Sequence, residues 1–228
     1  MTAPMAALEV GTLRIAGSLR PPLLSRDSGP GLRWLLFLQG CARPCTDQCL
    51  NPHYLDSRGG RLADSTELRL VAGQVAAGTW GRAEGVTLLG GEPTDQAPAL
   101  HPFLQTVRSL GLSVMLYSGH PLSWFFRPEN AAARALLAWT DIVVDGPFLP
   151  HLADPGLHWR GSTNQRILCL TDRYSEAELA AEQSRAGVTL TIRGHGPTIV
   201  SGLQSRAAAA DVEVLLRSAD WADTPEAS

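Results

Sequence analysis

The run Trp34-Leu35-Leu36-Phe37-Leu38-Gln39-Gly40-Cys41-Ala42-Arg43-Pro44-Cys45-Thr46-Asp47-Gln48-Cys49 decides how the rest of the chain is read. Its first five residues are apolar and are soon followed by Gly40, the pattern of a short buried strand. Its second half holds three of the chain's four cysteines. The spacing 41, 45, 49 is that of one helix face. Pro44 inside the run and Pro52 beyond it oppose a helix, because an interior proline costs about 3 kcal/mol and removes a hydrogen bond. The reading is therefore a strand that delivers a cysteine loop. Clustered thiolates select zinc or an iron–sulfur cluster. Three protein ligands leave one coordination position open, and open positions carry chemistry. A structural zinc site completed by His53 competes with this reading, and three packed thiols without metal are the bland alternative.

Outward from the loop the chain alternates short apolar runs with helical stretches. Leu8 to Ile15 alternates weakly as a first strand, and Asp27-Ser28-Gly29-Pro30-Gly31 is turn chemistry. A helix is expected over Leu68–Ala77, opening on a polar cap at Ser65. Val86–Leu89 reads as a strand ending in Gly90-Gly91-Glu92-Pro93, followed by a helix over Ala97–Leu110. Leu112–Tyr117 reads as a strand ending in Ser118-Gly119-His120, and Asn130–Trp139 as a helix. Asp141–Val144 reads as a strand ending in Asp145-Gly146-Pro147, and Arg166–Leu170 as another strand. This order implies an α/β fold with a parallel sheet and right-handed crossovers. In such sheets functional groups gather at the carboxyl ends of the strands. The cysteine loop, Gly90-Gly91, Ser118 and Asp145 should then share one rim.

Beyond about Asp172 the pattern changes. A helix over Ser175–Ala186, a hairpin of Val188–Ile192 with Pro197–Val200, and a helix over Ala207–Arg217 are expected, then a disordered polar tail. The division is 1–172 for the main unit, 173–219 for a small C-terminal α+β extension and 220–228 for the tail.

Composition narrows the function. The 228 residues carry 44% hydrophobic and 18% charged residues, ordinary for a globular protein. A net charge of −3 supplies no basic field for nucleic acid. No apolar run approaches the roughly 20 residues that span a bilayer, and no secretory signal is read at the start. Clustered thiols without an export signal fit the reducing cytoplasm. All 19 basic residues are arginine, which excludes a Schiff-base lysine and a lysine-dependent phosphate loop.

Several motifs, in order, resemble the radical S-adenosylmethionine family, and within it the activases of glycyl-radical enzymes such as anaerobic ribonucleotide reductase. They are Ser28-Gly29-Pro30-Gly31-Leu32-Arg33 before the loop, Gly90-Gly91-Glu92-Pro93, Val144-Asp145-Gly146-Pro147-Phe148, and Asp154-Pro155-Gly156-Leu157-His158-Trp159-Arg160-Gly161-Ser162-Thr163-Asn164-Gln165. The resemblance runs from about Ser28 to Ile167. It departs in one place: this chain has CxxxCxxxC where the family has CxxxCxxC, which leaves the register of Gln48 open.

What the resemblance implies is a partial (βα) barrel of the radical S-adenosylmethionine type. It implies a 4Fe–4S cluster on Cys41, Cys45 and Cys49, with S-adenosyl-L-methionine on the iron that lacks a protein ligand. Gly90, Gly91, Glu92 and Pro93 would hold the cofactor, and Ser118 and Asp145 are further candidates. The implied activity is reductive cleavage of S-adenosylmethionine to a 5′-deoxyadenosyl radical that makes a glycyl radical on a partner enzyme. The electron would come from a donor such as flavodoxin or ferredoxin, and the fork of Arg160 would grip the partner. Modification of another peptide or small molecule, or a non-catalytic zinc- or cluster-binding interaction protein, are the alternatives. His53, His120 and His158 read as surface or packing residues, and Cys169 as a buried small hydrophobe.

Overall fold

The four strands that lead into glycine-bearing turns lie side by side. The computed structural model describes residues 11–183 and the segments Thr189–Thr191 and Ile199–Ser201. In chain order its strands are β1 (Leu13–Ile15), β2 (Leu23–Ser25), β3 (Arg33–Leu38), β4 (Arg61–Ala63), β5 (Gly85–Gly90), β6 (Ser113–Ser118), β7 (Ile142–Asp145), β8 (Arg166–Cys169), β9 (Thr189–Thr191) and β10 (Ile199–Ser201). Its helices are α1 (Ser65–Ala76), α2 (Ala97–Ser109), α3 (Leu122–Phe125), α4 (Ala131–Leu136) and α5 (Glu176–Gln183).

One sheet runs β4-β1-β3-β5-β6-β7-β8, with β2 also pairing β3. The central strands β3, β5, β6 and β7 are parallel, so the cysteine loop and the turns at Gly91, Gly119 and Gly146 leave from the same edge. The outer pairings are antiparallel: β1 and β2 with β3, β1 with β4, and β7 with β8. The expected parallel sheet is thus corrected to a mixed α/β sheet. The reason lies in residues 146–165, which contain a 3-10 turn (Pro150–Leu152) but no crossover helix. A connection that stays at one end of the sheet returns its strand antiparallel.

Strand alternation splits the apolar side chains between two faces. Trp34, Leu36, Leu38, Val86, Leu88, Val114 and Leu116 join the helices in the larger core. The helix α1 buries Leu68, Val71, Ala72 and Val75, and α2 buries Leu100, Phe103, Leu104 and Val107. Both follow the i, i+3, i+4, i+7 spacing of an amphipathic helix, and each fully buried leucine contributes about 1.5–3 kcal/mol. Met115, Ile142 and Val144 turn to the other face, where Trp159 and Leu179 cover them. The cap of α1 is Asp64 rather than Ser65, because its carboxylate accepts the N–H groups of both Thr66 and Glu67. The helix read over Asn130–Trp139 is α4 flanked by 3-10 turns at Pro128–Asn130 and Leu137–Trp139.

At the end of the sheet opposite the cysteine loop, Arg33 is fully buried. Its Nε donates to Thr87 Oγ1 at 2.7 Å, Nη1 to Ser113 Oγ at 2.8 Å and Nη2 to the Val86 carbonyl at 2.9 Å. These acceptors offset the desolvation of the guanidinium and lock β3 to β5 and β6. Strands β9 and β10 pair antiparallel, as the expected hairpin requires. The helix expected over 207–217, the tail from 220 and the start of the Leu8–Ile15 strand lie outside the described residues.

Candidate cofactor and metal site

The root of the cysteine loop, Gln39 to Ala42, is held by its neighbours. Gly40 and Cys41 donate their N–H groups to the carbonyls of Tyr54 and Leu55 at 2.8 and 3.1 Å, and Glu92 N–H donates to the Gly40 carbonyl at 2.9 Å. The Gln39 amide donates to the carbonyls of His53 and Asp56 at 3.1 and 2.8 Å, which closes the far side of the loop. Gln96 donates to the Gln39 carbonyl at 3.1 Å and to the Arg14 carbonyl at 2.9 Å, which ties the loop's root to β1. Gly90 and Gly91 make this closeness possible. A Cβ on Gly90, where φ is +114°, would stand 2.3 Å from the Leu38 carbonyl oxygen, and one on Gly91 would stand 1.9 Å from that of Gly40. Both glycines therefore serve the approach of backbone to backbone.

Cys41, Cys45 and Cys49 line one cavity of about 320 Å³ together with Arg43, Pro44, Leu55, Gly90, Gly91, Glu92, Gly119 and His120. Cys41 is buried, Cys49 half-buried and Cys45 exposed. The Cys49 sulfur accepts the Asn51 N–H at 3.3 Å. Such a donor favours the thiolate form that metal ligation requires. Burial works the other way and pushes the Cys41 thiol up to about 12, with the nearby Glu92 carboxylate adding to it. Burial also raises Cys45. Ligation must therefore displace protons from this pocket. Among the described residues no three His, Cys, Asp or Glu side chains are gathered around the position of a single metal ion. Three thiolates on one cavity wall are a donor set that fits a 4Fe–4S cluster.

Glu92 braces the rim. Its buried carboxylate accepts from Thr94 N–H at 3.0 Å, Thr94 Oγ1 at 2.7 Å, Ser118 Oγ at 3.1 Å and Gly119 N–H at 2.8 Å. Burial holds its carboxyl above the ordinary carboxylate range, with these hydrogen bonds opposing. Of the candidate cofactor residues, Gly90, Gly91 and Glu92 line the cavity, whereas Pro93, Ser118 and Asp145 do not. Pro93 is buried at the start of a 3-10 turn, and Ser118 is occupied by Glu92. Asp145 faces α3, where it accepts the Leu122 N–H at 2.6 Å, and it pairs with Arg166. Arg160, expected to face a partner, donates one Nη internally to the Gln165 carbonyl at 2.7 Å. His53 does not line the cavity.

Two residues of the site were not singled out by the sequence. Asp95 accepts the Ala42 N–H at 2.7 Å and so holds the residue next to Cys41. His120 was read as a packing residue; it stacks on Trp124 with ring centroids 3.7 Å apart and also lines the cavity. Burial lowers its pKa. The available signal was its place two residues after a strand end.

Residues 28–168 match the family described as "4Fe-4S single cluster domain". The chain is also similar to anaerobic ribonucleoside-triphosphate reductase-activating proteins. It is 33% identical to that of Vibrio cholerae and 31% identical to that of Haemophilus influenzae, in each case over 61% of this chain and 89% of the relative. It is 28% identical to that of Escherichia coli K12, over 61% of this chain and 90% of the relative.

Proposed function

Because the chain belongs to the 4Fe-4S single cluster domain family and to the anaerobic ribonucleoside-triphosphate reductase-activating proteins, we propose that it is a radical S-adenosylmethionine activase that generates a glycyl radical on a partner enzyme such as anaerobic ribonucleotide reductase. The single observation that carries the assignment to this site is the convergence of three cysteine sulfurs and the Gly90-Gly91-Glu92 turn on one cavity at the carboxyl ends of parallel strands.

Cys41, Cys45 and Cys49 are the cluster ligands in this reading. A 4Fe–4S cluster held there would supply the electron for reductive cleavage of S-adenosylmethionine. The chain's own residues bind, orient and shield. The turn at Gly90 and Gly91 presents backbone to the cofactor, Glu92 keeps that turn fixed against Gly119, and His120, stacked on Trp124, walls the cavity. Pro93, Ser118 and Asp145 act from behind, by holding the rim. The helices stacked on one face of the parallel strands support reading the sheet as a partial (βα) barrel. The end of the family match at residue 168 supports a boundary near 172, with a small C-terminal extension after it. No described helix is long and apolar enough to cross a membrane. Clustered free thiols accord with a cytoplasmic location, and the electron is assigned to a flavodoxin- or ferredoxin-type donor.

The experiment is to reconstitute the protein anaerobically, reduce it with S-adenosylmethionine present, and add an anaerobic ribonucleotide reductase from the same source. The expected result is 5′-deoxyadenosine together with the EPR doublet of a glycyl radical on the reductase. Deoxyadenosine without a doublet removes the activase assignment, and zinc uptake without iron removes the radical chemistry as well.

A further inference from the structure

The two gaps between the cysteines are built differently. In the first, Arg43 and Pro44 line the cavity beside the three thiols. In the second, none of Thr46, Asp47 and Gln48 does. Thr46 Oγ1 accepts the Gln48 N–H at 3.1 Å, and Asp47 and Gln48 stand exposed. A hydroxyl that captures the N–H two residues on folds the chain into a tight turn. The residue that lengthens this gap is thus taken up outside the cavity, and the charge that the loop brings to the cavity wall comes from Arg43 alone.

Arg43 is also the only lysine or arginine among the residues that line the cavity. It is exposed, and it enters none of the ion pairs formed among the described residues. The carboxylates at this wall have other partners. Glu92 accepts from Thr94, Ser118 and Gly119, and Asp95 accepts the Ala42 N–H. The guanidinium therefore stands at the wall with its charge unpaired, and it stays protonated at any working pH. A 4Fe–4S cluster that takes up one electron takes up one unit of negative charge. A fixed cation beside it favours that reduced state and raises its potential, since cluster potentials follow the charge around them.

We propose that Arg43 tunes the cluster: its unpaired guanidinium at the cavity wall raises the reduction potential and so eases transfer of the electron from a flavodoxin- or ferredoxin-type donor. This rests on the reading of Cys41, Cys45 and Cys49 as ligands. The test is an EPR-monitored redox titration, without S-adenosylmethionine, of the reconstituted unaltered protein, Arg43→Lys, Arg43→Gln and Arg43→Glu, each first assayed for iron and sulfide. All should load fully. At the potential where the unaltered cluster is half reduced, Arg43→Gln should show a reduced-to-oxidised ratio roughly tenfold lower, equivalent to ~59 mV for a one-electron couple. Arg43→Glu should fall further in the same direction, and Arg43→Lys, which keeps the charge, should stay near the parent. Because the group is exposed, the gap between the parent and Arg43→Gln should shrink in about 1 M salt, where the screening length is about 3 Å. Equal potentials in all the proteins, a shift in Arg43→Lys as large as that in Arg43→Gln, or a gap that high salt leaves untouched would each overturn the proposal and leave the ligand reading standing. Loss of the cluster from Arg43→Gln and Arg43→Glu also overturns it, because the charge would then serve assembly and not tuning. Failure of the unaltered protein to take up iron would instead overturn the ligand reading.

Discussion

Asp95 holds Ala42: a carboxylate at the turn after β5 accepts the N–H of the residue next to the first cysteine at 2.7 Å. The contact joins the strand end that carries the Gly-Gly turn to the loop that carries the thiols, so the two halves of the cavity wall move together. A hydrogen bond to a charged group is worth about 1.5–3 kcal/mol, and partial exposure places this one at the low end. Asp95→Ala should therefore speed iron loss to a chelator about tenfold, ~1.4 kcal/mol, while Asp95→Asn, which keeps an acceptor oxygen, should stay within about threefold of the parent. The chelator assay decides between them, and equal rates for Asp95→Ala and the parent would exclude this anchor.

The cysteines separate by alanine substitution. Protein reconstituted anaerobically should carry about four irons and four sulfides, as one cubane does. Cys41→Ala, Cys45→Ala and Cys49→Ala should each lose that content, whereas Cys169→Ala should keep it, since Cys169 packs beneath the sheet against Met115, Ile142, Val144, Trp159 and Leu179. Iron and sulfide analysis reads the result directly.

Glycine substitutions should have opposite signs at two positions. Gly91→Ala places a methyl group 1.9 Å from the Gly40 carbonyl oxygen, so strand end and loop root must part. It should lower both thermal stability and iron content, because the displaced atom is backbone. Gly73 lies inside α1 with nothing within 4 Å of an added Cβ. Gly73→Ala should stabilise the chain by about 0.5–1 kcal/mol, since glycine loses more backbone freedom on folding than alanine. Thermal melts of the two variants should move in opposite directions.

Asp141 offers the clearest stability test remote from the cavity. It is fully buried and pairs with Arg108 at 2.5 Å. It also accepts from the Val114 N–H and from Thr171 Oγ1, each at 2.8 Å, joining α2, β6 and the chain after β8. Asp141→Ala leaves Arg108 without its partner and frees two further donors, and breaking such a pair costs about 3–5 kcal/mol. Denaturant titration should show that loss. A change below about 1 kcal/mol would mean that the site relaxes without it.

The central strands and the cysteine ligand candidates were legible because residue type carries them: apolar runs closed by glycine, and thiols at fixed spacing. Strands β2 and β4 were not, since Leu23–Ser25 and Arg61–Ala63 are too short to show a period. The direction of β8 was hidden for another reason. Arg166-Ile167-Leu168-Cys169 reads alike either way along the sheet, and only the absence of a crossover helix in 146–165 sets it. At the site, Asp145 and Ser118 were recognisable as rim residues, but a rim position does not reveal what a side chain will pair with. Asp145 turns to the α3 N-terminus and Arg166, and Ser118 to Glu92. Asp95, Gln39 and Gln96 left no signature, because single polar side chains that grip backbone groups of a distant loop follow no local spacing.

The graded burial of the three thiols sets the order in which they meet reagents from solution. Cys45 stands at the surface, Cys49 is half covered, and Cys41 lies beneath the loop with its proton held to about 12. Attack on sulfur requires both access and thiolate; the Cys45 thiol is raised as well, so its exposure is what puts it ahead, and iodoacetamide should label the metal-free chain at Cys45 before Cys41. Air should follow the same sequence. Oxidation would then begin at the sulfur closest to solvent, and a single lesion there would leave two intact ligands and a protein that is still folded but can no longer be loaded.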